Sequence, residues 1–457
     1  MSASKLANPS SAQDVHQSAP STSSKEVDTY RLGTRNSQLA LVQTHHVAAL
    51  LKSLHPGDSL QFPVTPMSVL GDRNKTSPLY LLSGDNQAIG AATNGEPIAG
   101  VKAGAVPAKS LWTEELEVAL MKGELDMIIH CLKDMPTTVP KDCEIAAILP
   151  REDPHDALVV KKGLHYKSLA DLPDGSVVGT SSVRRIAQLR RVYPKLKVMD
   201  VVSLRFQSAS QSPWYSYDGL AFLSDCVVFC SEEICNDTRL KKLDDPTGPY
   251  TALILAAAGL NRLGWEDRVT CTLKAPEVLY AVGQGALALE IRAGDRRVKR
   301  ILQGAGDWQA EWTTAAERGL LNELEGGCSV PVGVDCYIEE VATGSETTSV
   351  PRPFDKDPET PTFDSPLLWQ SGFGKHAILH LTACVTSIDG QKQVTYDAGK
   401  VLLKSHQEAG EWGHRVAREL MAKGAKEILD EINEIRRERE EADRHAAMQA
   451  KMQVETS

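Results

Sequence analysis

"SVVGTSSVRRIAQLRRVYPKLKVMDVV", residues 176–202, decides how the chain is read. Val177 and Val178 begin an apolar strand, and Gly179 to Ser182 make a small polar turn. A helix-spaced segment follows, with Arg184 and Arg185 at its start. The same order recurs at residues 29–56, "TYRLGTRNSQLALVQTHHVAALLKSLHP". There Asn36 or Ser37 is placed to cap a helix, with Leu39, Val42 and His46 at one helical spacing and Val47, Leu50 and Leu51 at another. It recurs again at 249–265, "PYTALILAAAGLNRLGW". Residues 110–140 read as a helix, a strand over Asp126–His130 and a polar loop. Strands alternating with helices predict an α/β fold with mostly parallel sheets. Such folds bind ligands beyond the carboxyl ends of their strands, where these polar turns lie.

The order changes after about residue 305. A helix over Trp308–Glu325 precedes the strands "HAILHLTACVTS" and "KQVTYDAGKVLL" and a final helix from near Gly410. This predicts a smaller α+β domain. The expected division is a disordered tail at 1–27, a first α/β domain over 28–150 plus 285–304, and a second over 155–280. The α+β domain then covers 306–440, and 441–457 is a charged tail. Residues 83–108 and 341–366 read as surface insertions, and no repeat of fixed period is visible.

The chain has 457 residues, 42% hydrophobic and 24% charged, with a net charge of −10. That balance argues against general nucleic-acid binding, and it would repel an anionic substrate unless cations are gathered locally. No apolar run approaches a membrane span. Nine cysteines without paired spacing, and no signal or transit pattern at the start, point to reduced thiols in the cytoplasm. Cys226, Cys230 and Cys235 match no usual zinc spacing, and the adjacent His45 and His46 face different ways on a helix, so no metal site is expected.

The polar turns do gather cations. Arg35 and Ser37 occupy the first, and Lys133 and Asp134 the second. Thr180, Ser181, Ser182, Arg184 and Arg185 occupy the third, while Arg239 and Arg262 fall in later turns. Helix N-termini and guanidinium forks both suit carboxylate or phosphate, although a solvated helix face would use the same arginines. Asp134 beside several cations should stay ionised, fit to stabilise positive charge or to relay a proton; a structural ion pair or helix cap would fit it as well. Gln284 sits in a glycine-flanked turn and reads as structural. In "EGGCSVPVG", residues 325–333, Cys328 lies between flexible glycines and Pro331. A buried, inert thiol and an anchor or nucleophile are both open readings of it.

Together these blocks resemble the hydroxymethylbilane synthase, or porphobilinogen deaminase, family. The matching runs include "RLGTRNSQLALVQ", "IIHCLKDMPT", "REDPHDAL", "VVGTSSVRRIAQLRR", "LILAAAGLNRLG", "AVGQGALALEIR" and "ERGLLNELEGGCSVPVG", in the family's order over most of 29–336. The resemblance implies two α/β domains like periplasmic binding proteins and a third α+β domain. It implies a dipyrromethane cofactor held by a thioether to Cys328, and head-to-tail joining of four porphobilinogen molecules with release of ammonia. The partners are then porphobilinogen and the growing polypyrrole, and a monomer is expected. By the same resemblance Arg35, Arg184, Arg185, Arg239 and Arg262 bind the carboxylates, with Ser37, Ser181 and Ser182 as polar contacts and Lys109 and Lys133 as basic ones. Asp134 becomes the catalytic aspartate, which helps expel ammonia and stabilises the cationic azafulvene.

One element departs from the family pattern. An R-G-N tripeptide is expected before Thr238 and Arg239, and residues 201–235 stand there instead. This stretch has six aromatics between 203 and 235 and Arg205 as its one arginine, and it reads as a translated intron. The alternatives carried forward are therefore a catalytically impaired variant and a binding protein for small anions.

Overall fold

The computed structural model describes residues 27–69, 112–201, 232–324, 330–341 and 374–455. The tail at 1–26, the insertion at 83–108, nearly all of the 201–235 and 341–366 stretches, and Lys109 and Cys328 lie outside the described residues.

A short pair, β1 (Asp28–Thr29) with β3 (Leu60–Gln61), flanks the first five-stranded sheet. That sheet is built from β2 (Leu32–Arg35), β4 (Val64–Met67), β5 (Met127–Cys131), β6 (Cys143–Ile148) and β12 (Leu287–Arg292). Its spatial order is β4-β2-β5-β12-β6, with β12 antiparallel to both neighbours. The second sheet uses β7 (Asp156–Val160), β8 (Val177–Gly179), β9 (Lys197–Met199), β10 (Ala252–Ala256) and β11 (Cys271–Leu273). Its order is β9-β8-β10-β7-β11, and β7 is its antiparallel strand. The two sheets thus share one plan. Each carries one antiparallel strand fourth in the row, supplied by chain that has just crossed from the other sheet. The sheets form a pair of α/β units.

No fixed period in the sequence marks the shared plan. A Gly-Thr pair marks the second strand in each row: Gly33-Thr34 lies within β2, and Gly179 ends β8 with Thr180 just after it. Both threonines are buried and their hydroxyls serve the following turn: Thr34 donates to Ala40 O at 3.3 Å, and Thr180 accepts from Ser182 N at 3.3 Å.

Helices cover the sheets because their apolar stripes need burial. In α1 (Gln38–Leu54), Ser37 is the N-cap and accepts from Ala40 N at 3.3 Å. Leu39, Val47 and Leu51 are buried, as expected, but Val42 and His46 are exposed. Gln43 and Thr44 take the inner face instead, next to the polar end of the sheet. The remaining helices of the two sheets are α2 (Glu114–Met121), α3 (Val183–Val192), α4 (Glu232–Asp244), α5 (Ala257–Arg262) and α6 (Arg296–Leu302). Arg239 and Arg262 therefore sit in helices, not turns: runs such as "TRLKKL" hold no breaker and extend the helix.

The third unit is a three-stranded antiparallel sheet, β13 (Val332–Val341), β14 (His376–Thr386) and β15 (Gln393–Leu403). It packs on α7 (Trp308–Glu323), α8 (His406–Leu420) and α9 (Lys426–Glu455) around a core that includes Trp312, Leu320, Leu379 and Val416. Two expectations are corrected here. The last helix starts at His406 and bends at Gly424, whose φ is 105°. The stretch from 441 onward is helical through Glu455, since "EEADRHAAMQAK" is dense in helix formers and lacks glycine and proline.

Helices α7 and α8 touch almost backbone to backbone. A Cβ on Gly413 would come within 1.9 Å of Ala316 O, whereas one on Gly410 would find only Ala315 O at 3.9 Å. Gly413→Ala should therefore lower the thermal midpoint, overpacking costing about 1–3 kcal/mol. Gly410→Ala should be neutral or raise it through helix propensity, worth roughly 0.5–1 kcal/mol. Calorimetry on the two variants checks both signs.

Candidate functional site

Asp134 closes a 3-10 turn, Leu132–Asp134, that follows β5 directly, where a loop was expected. The turn is fixed from behind by Leu132 N donating to Ala286 O at 3.0 Å. Asp134 lines a small cavity together with Arg35, Gln43, Trp112 and His130. The Arg35 guanidinium lies 4.2 Å above the Trp112 ring and is 7% exposed. The carboxyl ends of β2 and β5 thus bring Arg35, Ser37, Lys133 and Asp134 to one edge of the first sheet. Behind them His130 Nε2 meets the fully buried Glu290 at 2.7 Å. Burial and then Glu290 raise the carboxyl pKa of Glu117 to about 7.

At the second sheet, Arg184 and Arg185 are buried, which rules out a solvated helix face for them; Arg191 on the same helix is exposed. Both grip Asp156, with Arg184 Nη1 at 2.7 Å from Oδ2 and Arg185 Nη2 at 2.8 Å from Oδ1. Gln284 Nε2 donates to the same Oδ1 at 2.8 Å. Burial alone would lift the Asp156 carboxyl, but the two guanidiniums outweigh it and hold it well below the usual carboxylate range. One carboxylate thus faces two guanidiniums. The Nε atoms of Arg184, Arg185 and Arg239 are all buried without a hydrogen-bond partner. Arg239 is 3% exposed and takes part in none of the ion pairs among the described residues. Buried guanidinium Nε donors of this kind suit an anion that is not part of the chain.

Ser181 donates to Asp200, and Ser182 caps α3 through backbone position without a side-chain bond. Arg262 is tied to the crossover, its Nη2 donating to Gly285 O at 2.7 Å. Gly285 has φ 85°, and a Cβ there would reach within 2.3 Å of Glu152 O, so the two crossover segments meet at a point that only glycine fits.

Residue-by-residue reading missed the hinge charges. Arg151 lies in the first crossover and pairs with Glu317 of α7 at 2.7 and 3.0 Å. Its Nε donates to Gln284 O at 2.9 Å; Gly283 N donates to Glu317 as well, and Tyr280 Oη lies 3.2 Å from it. Asp156 had a visible signal: a carboxylate at the head of the apolar strand "DALVV" is buried and must be paired. Arg151 and Glu317 had none, because their partner is fixed by a contact 166 residues away. The flanks of the Cys328 segment, Leu324 and Val330, are both buried in the core of the third unit.

Two family models match the chain. The one described as "Porphobilinogen deaminase, dipyromethane cofactor binding domain" matches residues 30–219 and 235–300, and "Porphobilinogen deaminase, C-terminal domain" matches 312–341. The Yarrowia lipolytica protein named porphobilinogen deaminase is 40% identical over 407 residues, 88% of this chain and 93% of that protein. The Saccharomyces cerevisiae protein of the same name is 35% identical over 410 residues, 89% of this chain and 98% of that protein. Among solved structures, the chain is similar to the Escherichia coli periplasmic aliphatic sulphonate binding protein SsuA, at 10% identity, 66% and 76% coverage and TM-score 0.27. It is also similar to the Bordetella pertussis BvgS periplasmic VFT2 domain, at 14% identity, 61% and 86% coverage and TM-score 0.26.

Asp156→Asn removes the shared partner of two buried guanidiniums and should cost about 3–5 kcal/mol in urea unfolding at pH 7. A depressed native pKa adds stability above the ordinary value of 3.8 that is lost as pH falls below it. The gap between wild type and Asp156→Asn should therefore narrow below about pH 4.

Proposed function

The chain belongs to the porphobilinogen deaminase family, and from that premise we propose how its residues divide the work. The reaction joins four porphobilinogen molecules head to tail, releases an ammonia from each, and yields hydroxymethylbilane for tetrapyrrole and haem synthesis. The cofactor is dipyrromethane.

The observation that carries the assignment is the set of buried guanidinium Nε donors at the second sheet that make no hydrogen bond. Each pyrrole brings two carboxylates, so the tethered chain gains negative charge at every addition. Arg184, Arg185 and Arg239, with their unsatisfied buried Nε atoms, are fit to receive those carboxylates, and Asp156 holds the first two in place until then. The residues present therefore suit the cofactor. Cys328 would tether it, with Ser181 and Ser182 as polar contacts; Arg35, Ser37, Lys109, Lys133 and Arg262 would serve the incoming substrate and the growing chain. When bound, the dipyrromethane supplies the nucleophilic pyrrole end from which the product grows.

Asp134 is the acid–base and electrostatic group. Its carboxylate faces a cavity shared with Arg35, where a substrate carboxylate on Arg35 would place the reacting carbon beside Asp134. As ammonia leaves, positive charge develops on the incoming pyrrole and Asp134 stabilises it; Asp134 then accepts the ring proton lost after attack. Lys133, on the same turn, offsets the substrate's acidic groups. The protein works as a monomer in the cytoplasm; its five free described cysteines suit a reducing compartment.

Intact mass of the purified protein should exceed the chain mass by two pyrrole units, and Cys328→Ser should lose the excess; a thioether-linked dipyrrole on the serine variant would overturn the tether. Asp134→Ala should cut turnover about 10² to 10³-fold while retaining cofactor. Arg239→Leu should arrest assembly or elongation, seen as missing or stalled adducts in the same spectra.

A further inference from the structure

A second cavity lies against α7. It measures about 280 Å³ and opens between β6 and the helices α7 and α8. Its walls combine apolar surface from Ile145, Ile148 and Ala315 with Arg318, His406 and His414. Arg318 is the unusual member. It is partly buried, yet no ion pair among the described residues uses it, whereas the neighbouring His414 is paired with Glu323 at 2.9 Å. Its Nη2 donates only to main-chain carbonyls, Pro136 O at 2.7 Å and Thr137 O at 2.9 Å. Carbonyls do not neutralise a guanidinium, so a cation with spare donors is left facing a cavity with apolar walls.

We propose that this cavity is a binding site for a small carboxylate with an apolar body, held by Arg318 and His406 and distinct from the porphobilinogen-binding edge. The two carbonyls held by Arg318 follow Asp134 by two and three residues. A carboxylate that recruits this guanidinium would compete for the clamp on the catalytic turn, so occupancy lowers turnover without competing with porphobilinogen. The site thereby links the helix that leads to Cys328 with the turn that carries Asp134.

The charged surroundings set the pH response. Arg318 and Glu311 face the cavity from α7, and His406 and His414 from α8. Burial lowers the Arg318 pKa to about 10, with Glu290 of β12 acting in the opposite sense. Burial, and then Arg318, hold His406 down to about 4. A bound carboxylate offsets both, raises the His406 pKa and so takes up a proton. Affinity should therefore rise as pH falls from 7 to 5.

The probe is pentanoate, titrated calorimetrically into the full-length, cofactor-loaded protein, with pentylamine as the cationic control. Saturable pentanoate binding, stronger at pH 5.5 than at pH 7, is expected, with none for pentylamine. Arg318→Gln should weaken it about tenfold or more, and Arg318→Lys less. His406→Gln should keep binding but lose the pH dependence. Arg239→Leu should leave it intact, because the porphobilinogen edge is a different site. Steady-state assays should show pentanoate lowering kcat with KM for porphobilinogen unchanged. Absent binding, full binding in Arg318→Gln, loss in Arg239→Leu with Arg318→Gln unaffected, or competition with porphobilinogen would each overturn the proposal. The proposal does not rest on the catalytic reading, since the calorimetric arm needs no turnover.

Discussion

The ion pair between Arg151 and Glu317 is the constraint on which the rest of the structure depends. Arg151 belongs to the first crossover between the sheets, Gln284 to the second, and Glu317 to the helix leading into the cysteine segment. Both charges are buried, Glu317 completely. Burial lowers the Arg151 pKa, but Glu317 more than reverses it and the guanidinium stays charged. A buried pair of this kind adds little net stability over an apolar substitute, yet separating its members is expensive. Its consequence is geometric: three pieces of chain can be placed in only one way. Tyr280 extends the same node into the third sheet, donating to Cys336 O and bridging to Val334.

Around that node the charges are arranged unevenly. The whole chain is acidic, at −10, yet the strand ends of both sheets collect arginine. Asp156 organises two of them while the Nε atom of each makes no hydrogen bond. A single carboxylate positions both guanidiniums while their Nε donors stay open to an anion. A second aspartate would have neutralised the edge and removed its capacity for anions. The same logic applies on a smaller scale to Arg318, whose carbonyl partners orient it without cancelling its charge.

The turn that carries Asp134 is held from several sides. Ala286 fixes its first amide, and Arg318 holds the carbonyls just beyond it. Asp134 therefore rests on a frame contributed by the crossover and by α7, and not on its own strand alone. Preorganisation of this kind lets a carboxylate stabilise charge without reorganising at the moment of reaction.

Much of this was legible in the chain itself. Period and turn chemistry located β2, β5, β8 and β10 and the helices after them, because a strand or an amphipathic helix must declare its buried face in neighbouring residues. The ordered motifs identified the family, and the local set Arg35, Ser37, Lys133, Asp134, Arg184 and Arg185 was visible because each member sits at a strand end. Local pattern misled where a tertiary neighbour outweighed it: Val42 and His46 face solvent while Gln43 and Thr44 turn inward. What only the tertiary structure decided was pairing. Asp156 meets Arg184 and Arg185, Arg151 meets Glu317, and Arg318 meets the carbonyls after Asp134, all across distances in sequence that carry no period. A buried charge requires a partner, but the residue that supplies it is set by where the crossovers bring the chain.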